Sequence, residues 1–362
     1  MAKWRISWLA LASCCACALA ADPYRANWIS VADRLIQNPP EMFPYDWGEG
    51  VQQIGLMKTY ERTRDPRYLD WMRRWAALYE KQDPRDLLHT GETARAAGRT
   101  GYCGHWSPAT AILLLNRASP RPEYRRIVEA TLGFIHSGAE RSPEGALGHW
   151  QGSHQLWVDT LYMACPLLAA EGKKQSVRDA AQQIILYANH LQDTKTGLFF
   201  HMWDWQTGER SQGAWGRGNG WVIMSIADTV EVLDRRDPAF GKLTAVMDKL
   251  VTGFAASQDE SGMWRTVLDD PQSYEETSAT SMTVYGILKL VRLGRLPRTR
   301  MALAMKAWQA VNQRFVHDGL VTGVSAGTVP KGSEYYRNLP ASTQTWGTGA
   351  YLLAGSEVDR LR

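Results

Sequence analysis

The feature that most limits the fold of this chain is a recurring pair of helical segments followed by a loop. The pairs repeat at a spacing of roughly 50 residues, and strand-length alternation of apolar and polar residues is almost absent. The predicted helices cover approximately residues 24–36, 50–62, 66–81, 108–116, 124–136, 158–170, 175–191, 221–233, 240–257, 278–293, 298–316 and 346–358. We therefore expect an all-α protein.

The predicted helices alternate in character along the chain. One kind is apolar on nearly every side and rich in Ala, Gly and Ser, as in GWVIMSIADTVEVL and SATSMTVYGILKL. The other kind is amphipathic, with polar residues such as Arg178, Asp179 and Gln182 on its free face. A helix that is apolar all round is buried, whereas an amphipathic helix covers it. Six buried helices ringed by six outer ones describe an (α/α)6 toroid, which would span residues 21–362 as a single domain.

An open α-solenoid is the alternative arrangement of the same hairpins. The lone helix at each end of the chain favours a closed ring, because the last inner helix would then pair with the first outer one. In a closed ring, the loops that lead into the inner helices gather at one mouth. These loops are long and rich in polar and aromatic residues, at 142–157, 194–219, 261–277 and 317–345. Long loops in a compact domain are usually functional, so the mouth is the predicted site.

The first 20 residues have the pattern of a secretory signal peptide. Lys3 and Arg5 precede an apolar stretch, and Ala18-Leu19-Ala20 supplies a small-x-small cleavage site. We therefore expect export to the periplasm or the extracellular space. A lipid anchor at Cys14 is the less favoured alternative, because the apolar stretch before it is short. No later segment approaches the ~18 uninterrupted apolar residues of a membrane span.

The composition excludes several classes of function. The net charge is +4 over 362 residues and no basic run is present, so nucleic-acid binding is not indicated. Cys103 and Cys165 alone follow the signal segment, too few for a disulfide framework. No motif for a metal, a bound phosphate or a nucleophile elbow appears, so we expect no metal and no cofactor. The 16 Trp and 14 Tyr, against 7 Phe, favour a polar ligand such as a sugar.

The stretch GHWQGSHQLWVDTLYM, residues 148–163, carries the candidate catalytic acid. Asp159 is the lone acid where a polar aromatic loop turns into an apolar helix. A carboxyl group on the floor of a pocket is expected to have a raised pKa. The alternative is that Asp159 only caps the first turn of its helix, but the predicted mouth favours the functional interpretation. His149 and His154 lie on the loop that leads to it.

Two further loops bring candidate ligand-binding residues to the same mouth. TGLFFH ends at His201, and in WGRGNGW two indoles, Trp215 and Trp221, flank Arg217. A guanidinium between flat rings can bind a sugar carboxylate bidentately while the rings cover the sugar faces. A structural salt bridge is the alternative role for Arg217. The segment Glu275-Glu276-Thr277-Ser278 is interpreted as the N-cap of the next inner helix. These residues indicate acid/base chemistry on a carbohydrate.

The motifs resemble those of the unsaturated uronyl hydrolases of glycoside hydrolase families 105 and 88. The similar segments are WVDTLYMACP, TGLFFHMWD, WGRGNGW, ETSATSMTVYGILKLVRLG and TWGTGAYLLAGSEV. The resemblance extends from about Trp47 to the C-terminus and implies an (α/α)6 barrel. It implies that Asp159 is the general acid/base. The other matching positions are His149, His201, Trp47, Trp215, Arg217 and Trp221.

The resemblance also implies the reaction. Enzymes of this group act on oligosaccharides whose terminal uronic acid carries a 4,5-double bond left by a polysaccharide lyase. The acid protonates C4, water adds at C5, and the hydrated sugar opens and releases its neighbour. One carboxyl group can serve in both proton transfers, whereas ordinary glycosidases need a pair of carboxylates. The expected partner is an oligosaccharide that ends in a uronate.

The chain departs from the family pattern at two places. An Asp, often Asp-Asp, is usual before the second inner helix, but residues 102–108 read YCGHWSP, so His105 is expected to take over part of that role. The family's Asn-Asp-x-His-Gly is replaced by Thr345-Trp346-Gly347. The alternatives therefore stay open: a conventional uronidase, a sugar epimerase that would use histidine pairs, or a barrel that binds carbohydrate without catalysis.

Overall fold

All the predicted helices are present in the part of the chain that the computed structural model describes, residues 22–89 and 100–361. The predicted signal segment lies outside the described residues and stays a prediction. The helices are α1 (Arg25–Gln37), α2 (Trp47–Thr63), α3 (Pro66–Ala77), α4 (Pro84–His89), α5 (Ser107–Ala118), α6 (Pro122–Ser137), α7 (Asp159–Glu171), α8 (Lys174–Leu191), α9 (Gly216–Val232), α10 (Pro238–Ser257), α11 (Thr277–Arg292), α12 (Met301–Arg314), α13 (Ser333–Arg337) and α14 (Thr345–Asp359). None of these helices is long and apolar enough to cross a membrane.

The helices form the predicted closed ring. The inner helices α2, α5, α7, α9, α11 and α14 each pack against the next, and α14 packs against α2. The outer helices α3, α6, α8 and α12 pack on α2, α5, α7 and α11, respectively, α10 packs on α8 and α9, and α1 packs on α14. The first outer helix therefore pairs with the last inner one, and the closed ring is confirmed over the open solenoid.

Glycine residues let the first and last inner helices approach closely. A Cβ atom on Gly349 would lie 2.5 Å from the carbonyl oxygen of Val51, and one on Gly55 would lie 2.6 Å from that of Gly349. Only a residue without a side chain allows two helix backbones to come this near. The apolar, glycine-rich character of the inner helices therefore comes from the closure of the ring.

One predicted helix boundary is wrong in a way that affects the site. Helix α9 begins at Gly216, five residues before the predicted start, so Arg217 lies in its first turn and not in a loop. The glycines of this segment read as a loop in the sequence, but they allow close packing between inner helices. A Cβ atom on Gly220, for example, would lie 2.8 Å from the Met282 side chain of α11.

Short antiparallel ladders tie together the loops at one end of the ring. They are β1 (Gln155–Trp157) with β2 (Met202–Asp204), β3 (Val316–His317) with β4 (Leu320–Val321), and β5 (Val324–Ser325) with β6 (Ala341–Ser342). In the first ladder Leu156 pairs with Trp203. Just beyond it, the Val158 amide donates to the His201 carbonyl at 3.0 Å. This ladder therefore fixes His201 beside the start of α7.

We expect Gly349→Ala to destabilise the protein by about 1–3 kcal/mol, because the new methyl group meets the backbone of α2 and overpacks the ring. The backbone atoms in its way, at 2.5–2.7 Å, cannot rotate aside as a side chain could. Urea unfolding followed by circular dichroism measures the loss.

The matched control is Gly133→Ala on the exposed face of α6, where a Cβ atom meets nothing within 4 Å. This change should stabilise the protein by about 0.5–1 kcal/mol through helix propensity. Equal unfolding midpoints for the two variants would contradict the importance of the α2–α14 contact.

Candidate active site

The mouth of the ring holds a cavity of about 320 Å³. This volume lies in the range of small-molecule sites. Its wall is mainly aromatic, as expected for a sugar ligand. The lining residues are Trp47, Tyr102, His149, Trp157, Asp159, Met163, Trp215, Arg217, Gly327, Thr328, Val329 and Tyr335. Most of them come from three of the predicted long loops or from the first turns of inner helices, whereas Tyr102 precedes α5 and Met163 is the fifth residue of α7, so the cavity lies at the predicted mouth.

Asp159 is the only carboxylate among the described residues that line this cavity. It is the first residue of α7, and its side chain is 21% exposed. Its Oδ2 lies 2.9 Å from Nε2 of His201. The Asp159 side chain makes no N-capping hydrogen bond to its helix. A role as a simple cap therefore does not explain its position.

The predicted direction of the Asp159 pKa shift is wrong. Burial raises the pKa of this carboxyl group. The charge and hydrogen bond of His201, with the charges of His149 and Arg217, lower the pKa by more than burial raises it. The resulting pKa lies below the ordinary value of 3.8. The sequence argument considered burial alone, whereas three cationic or hydrogen-bond-donating side chains converge on this group.

His201 is buried between Asp159 and a tyrosine. Its Nε2 faces Asp159, and its Nδ1 lies 2.9 Å from the hydroxyl oxygen of Tyr336. The imidazole stacks on Trp215 with ring centroids 4.2 Å apart and an interplanar angle of 28°. The ring is therefore held at both nitrogens and on one face.

His149 lies on the cavity wall beside the first turn of α7. It stacks on Trp157 at 4.1 Å, and its Nδ1 lies 2.8 Å from the Thr160 hydroxyl oxygen and 3.2 Å from the Cys103 sulfur. Cys103 is fully buried, and burial raises the pKa of its thiol well above the usual value. The thiol is therefore protonated and supports His149 as a hydrogen-bonding neighbour.

Arg217 is buried, and it contacts the last residue of β5 and the residue that follows it. Its Nη1 donates to the Ser325 carbonyl at 2.8 Å and contacts the hydroxyl of the same residue, and its Nη2 donates to the Ala326 carbonyl at 2.7 Å. The Nε atom is buried without a partner among the described residues. Among the described residues Arg217 therefore does not form the structural salt bridge that was the alternative prediction. Part of its guanidinium is already bound to the protein, so not all of its donors are available to a ligand.

The rings around Arg217 differ from the prediction. Its guanidinium lies over Trp215 at 4.7 Å and over Trp346 at 5.5 Å, so Trp346 takes the place predicted for Trp221. Burial lowers the pKa of Arg217, while the charges of Glu276 and Asp159 favour its protonated form.

The acidic segment before α11 has the predicted capping role. Glu276 is the N-cap residue of this helix, and its carboxylate accepts from the Ala279 amide at 2.6 Å. It also accepts from the Ser325 amide at 2.8 Å. Glu276 therefore fixes the same segment that Arg217 binds, and it places a negative charge behind the guanidinium.

Three predicted ligand-binding residues do not line the cavity. Trp221 is fully buried and stacks on Tyr162, and His105 is fully buried near the Leu88 carbonyl. Nδ1 of His154 lies 3.1 Å from a carboxylate oxygen of Glu140. The expectation that His105 replaces the usual acid is not supported by this placement, because the ring of Tyr102 faces the cavity there instead.

Several residues of the site were not singled out from the sequence: Tyr102, Trp157, Met163, Trp346, Tyr335, Tyr336 and the segment 327–329. For Tyr335, Tyr336 and the segment 327–329 the sequence did contain a signal, because the loop at 317–345 was predicted to be functional from its length. Which of its side chains face inward depends on the short helix α13, which no periodic pattern marks.

No group of three or more histidine, cysteine or acidic side chains in the described ranges could hold a metal ion. The cysteines within the same ranges, Cys103 and Cys165, are both buried and free, so they do not pair with each other.

A closed (α/α)6 ring whose aromatic mouth holds one carboxyl group among the described lining residues has the architecture of the six-hairpin glycosidase class. The chain belongs to Glycosyl Hydrolase Family 88, because the sequence model of that family matches residues 26–362. The predictions of the family, of the (α/α)6 fold and of a hydrolase enzyme are confirmed.

Relatives across the family are similar over nearly the whole chain. The unsaturated rhamnogalacturonyl hydrolase YesR of Bacillus subtilis is 29% identical over 91% of this chain and 94% of its own. An unsaturated 3S-rhamnoglycuronyl hydrolase of Formosa agariphila is 27% identical over 88% of this chain and 85% of its own. A Klebsiella pneumoniae protein described as a possible member of the GH105 family has a TM-score of 0.83 and 26% identity, covering 100% of this chain and 99% of its own.

We expect Arg217→Lys to loosen the segment that follows β5. A lysine ammonium is a single point of donation and cannot span the two carbonyl groups that the guanidinium holds. A hydrogen bond to a charged group contributes about 1.5–3 kcal/mol, which corresponds to at least tenfold faster local opening. Amide hydrogen exchange at Ser325 and Ala326 measures this opening.

Arg210→Lys is the matched control, since this guanidinium covers the Phe200 ring and does not contact the segment. Exchange at Ser325 and Ala326 should be unchanged in the control. If Arg217→Lys also leaves it unchanged, the guanidinium does not hold the segment.

Proposed function

We propose that this enzyme removes a terminal 4,5-unsaturated uronic acid from oligosaccharides that polysaccharide lyases produce. The reaction is a hydration of the double bond, after which the sugar ring opens and releases its neighbour. The proposal is supported by the relatives from Bacillus subtilis and Formosa agariphila, whose names specify unsaturated uronides.

The observation that carries the proposal is the lone carboxylate of the cavity, Asp159. A retaining or inverting glycosidase needs two carboxyl groups at a set separation across the scissile bond. Hydration of a vinyl ether needs one group that gives a proton and then takes one back. The conventional uronidase is therefore the weaker alternative.

The proposed steps balance as an addition of water. Protonated Asp159 gives its proton to C4, and positive charge develops at C5 and the ring oxygen. Water adds at C5 while the Asp159 carboxylate accepts its proton, so the acid is regenerated. The hemiketal at C5 then opens to a ketone, and the hemiacetal at C1 collapses to an aldehyde as the neighbouring sugar departs with its glycosidic oxygen.

In this proposal His201 assists the acid. The Asp159 carboxyl group becomes an anion as it gives up its proton, and Nε2 of His201, 2.9 Å away, stabilises that anion when this nitrogen carries a proton. A donor placed there before the reaction needs no reorganisation during it. We assign His149 to positioning the sugar or the attacking water, because its ring lines the cavity.

We assign Arg217 to the substrate carboxylate. A guanidinium has five N–H donors, and three contacts to Ser325 and Ala326 leave Nε and one further donor. Trp215 lies against the same guanidinium and lines the cavity, so it can cover a sugar face beside the carboxylate.

We expect Asp159→Asn to reduce turnover by about 10³-fold or more, because an amide cannot transfer the proton, and general acid–base groups contribute about 10²–10⁴-fold. The assay follows loss of the ultraviolet absorbance of the 4,5-unsaturated uronate. Lyase digests of pectin, glycosaminoglycan and ulvan serve as separate substrates.

Asp248→Asn on the exposed face of α10 is the control and should retain wild-type activity. If the wild type causes no loss of absorbance on any of the three digests, the proposal of an unsaturated substrate is overturned. Epimerisation of a saturated uronide, lost on substitution of His149, would favour the epimerase. Binding of the digests without turnover would favour a carbohydrate-binding role.

We expect ligand binding to be accompanied by proton uptake. Asp159 is ionised in the free enzyme at neutral pH, because its pKa lies below 3.8. A uronate carboxylate brought into the cavity adds a like charge and excludes water, and both effects raise the pKa of Asp159 towards the working pH. Binding should therefore protonate the group that has to act as an acid.

Isothermal titration calorimetry with a saturated, unreactive uronide in buffers of different ionisation enthalpy measures the uptake. For the wild type, the binding enthalpy should depend on the ionisation enthalpy of the buffer. This dependence should become stronger as the pH is lowered from 7 to about 5, because more protons are taken up. The Asp159→Asn variant should not show it. Identical enthalpies in all buffers for the wild type would mean that Asp159 does not gain its proton on binding.

A further inference from the structure

Tyr336 is a buried residue that contacts the catalytic pair without lining the cavity. It lies in the short helix α13, and its hydroxyl oxygen is 2.9 Å from Nδ1 of His201. The phenol ring is roughly parallel to Trp215, with an interplanar angle of 15°. Nothing in the motifs of the sequence indicates a role for this residue.

The hydrogen bonds around the Tyr336 hydroxyl group determine where its proton points. The Lys331 amide donates to this oxygen at 2.9 Å, and an amide N–H has no other possible role. With the Lys331 amide donating to the oxygen, the Tyr336 proton points to Nδ1 of His201, the ring nitrogen that lies 2.9 Å away.

The protonation state of Tyr336 agrees with this assignment. Burial raises the pKa of its hydroxyl group, and the negative charge of Asp159 raises it as well, so the phenol keeps its proton at any working pH. An imidazole nitrogen that accepts a hydrogen bond carries no proton in the neutral ring. The proton of neutral His201 then lies on Nε2, which faces Asp159 at 2.9 Å.

We propose that Tyr336 is a positioning residue that fixes His201 as the Nε2–H tautomer, so that this nitrogen donates to Asp159. This inference rests on the proposed function, because it explains how His201 acts on the acid. Without the phenol, the proton could lie on Nδ1, and the lone pair of Nε2 would then face the carboxyl group.

The tautomer matters for the strength of the acid. A donor at Nε2 stabilises the anion that Asp159 becomes, whereas a lone pair there would accept from the protonated form and oppose the proton transfer to C4. The other charged groups that act on Asp159 are His149 and Arg217, and neither contacts Tyr336. Loss of the phenol hydroxyl should therefore change the acid through His201.

The direct test is ¹⁵N NMR of the full-length enzyme labelled at its histidine imidazoles. The signal lost in His201→Gln identifies the residue, and at a pH where the ring is neutral it should show a bare Nδ1 and a protonated Nε2. In Tyr336→Phe the Nδ1–H tautomer should become populated. Tyr335→Phe is the matched control, because Tyr335 lines the cavity and does not contact Nδ1, and it should leave the tautomer unchanged.

A wild-type His201 that carries its proton on Nδ1 would overturn the proposal, even if Tyr336→Phe failed to fold. So would a tautomer that is unchanged in a folded Tyr336→Phe variant. Neither measurement uses turnover, so they remain decisive if the enzyme consumes no unsaturated uronide. In that case the proposed function fails separately, through the absorbance assay.

Kinetics supply a second readout that a purely structural role would not move. We expect Tyr336→Phe to lower kcat about tenfold, a modest part of what general acid catalysis contributes, with little change in KM. Because the pKa of Asp159 rises when the donor is lost, the fall of kcat at high pH should shift to higher pH. A lower kcat with an unmoved pH profile would contradict the tautomer role.

Discussion

The backbone contact between α2 and α14 is the constraint on which the site depends. Gly55 and Gly349 allow the first and last inner helices to touch, and this contact turns six hairpins into a closed ring. An open array of the same hairpins would spread the loops along one edge. Closure instead brings loops from positions 102, 149, 201 and 327 to one mouth, where they share a single cavity.

The electrostatics of that cavity present an apparent conflict. A group that must donate a proton has a lowered pKa in the free enzyme, because His201, His149 and Arg217 outweigh the effect of burial. The same groups would stabilise the carboxylate that forms once the proton has gone to C4. The site is therefore suited to the ionised form of Asp159, and in the proposed reaction the negative charge of a bound uronate raises the pKa of Asp159 so that it takes up a proton from the solvent before the transfer.

The sequence was sufficient for the architecture and for the central acid. Apolar periodicity marked the inner helices, and the position of Asp159 at a loop-to-helix junction marked the site. The sequence pattern gave the wrong local structure or the wrong contact where these depend on tertiary packing. The glycines of WGRGNGW read as a loop but form the first turn of α9 against α11. Likewise, the chain gives no sign that Trp346, rather than Trp221, covers Arg217, because that depends on how α14 meets α9 across the ring.

The segment from 325 to 337 contacts both Arg217 and His201, two of the side chains that lower the pKa of Asp159. Its carbonyl groups hold Arg217, and its Tyr336 holds His201, so one stretch of chain sets both a nearby positive charge and a nearby donor. The segment is itself fixed by the β5–β6 pair and by the contact of Arg337 with Asp270 at 3.0 Å. A change at Asp270, which is not part of the cavity wall, would move Tyr336 and thereby weaken Asp159 as an acid. The strength of the acid is therefore a property of this loop as much as of the helix that carries the carboxyl group.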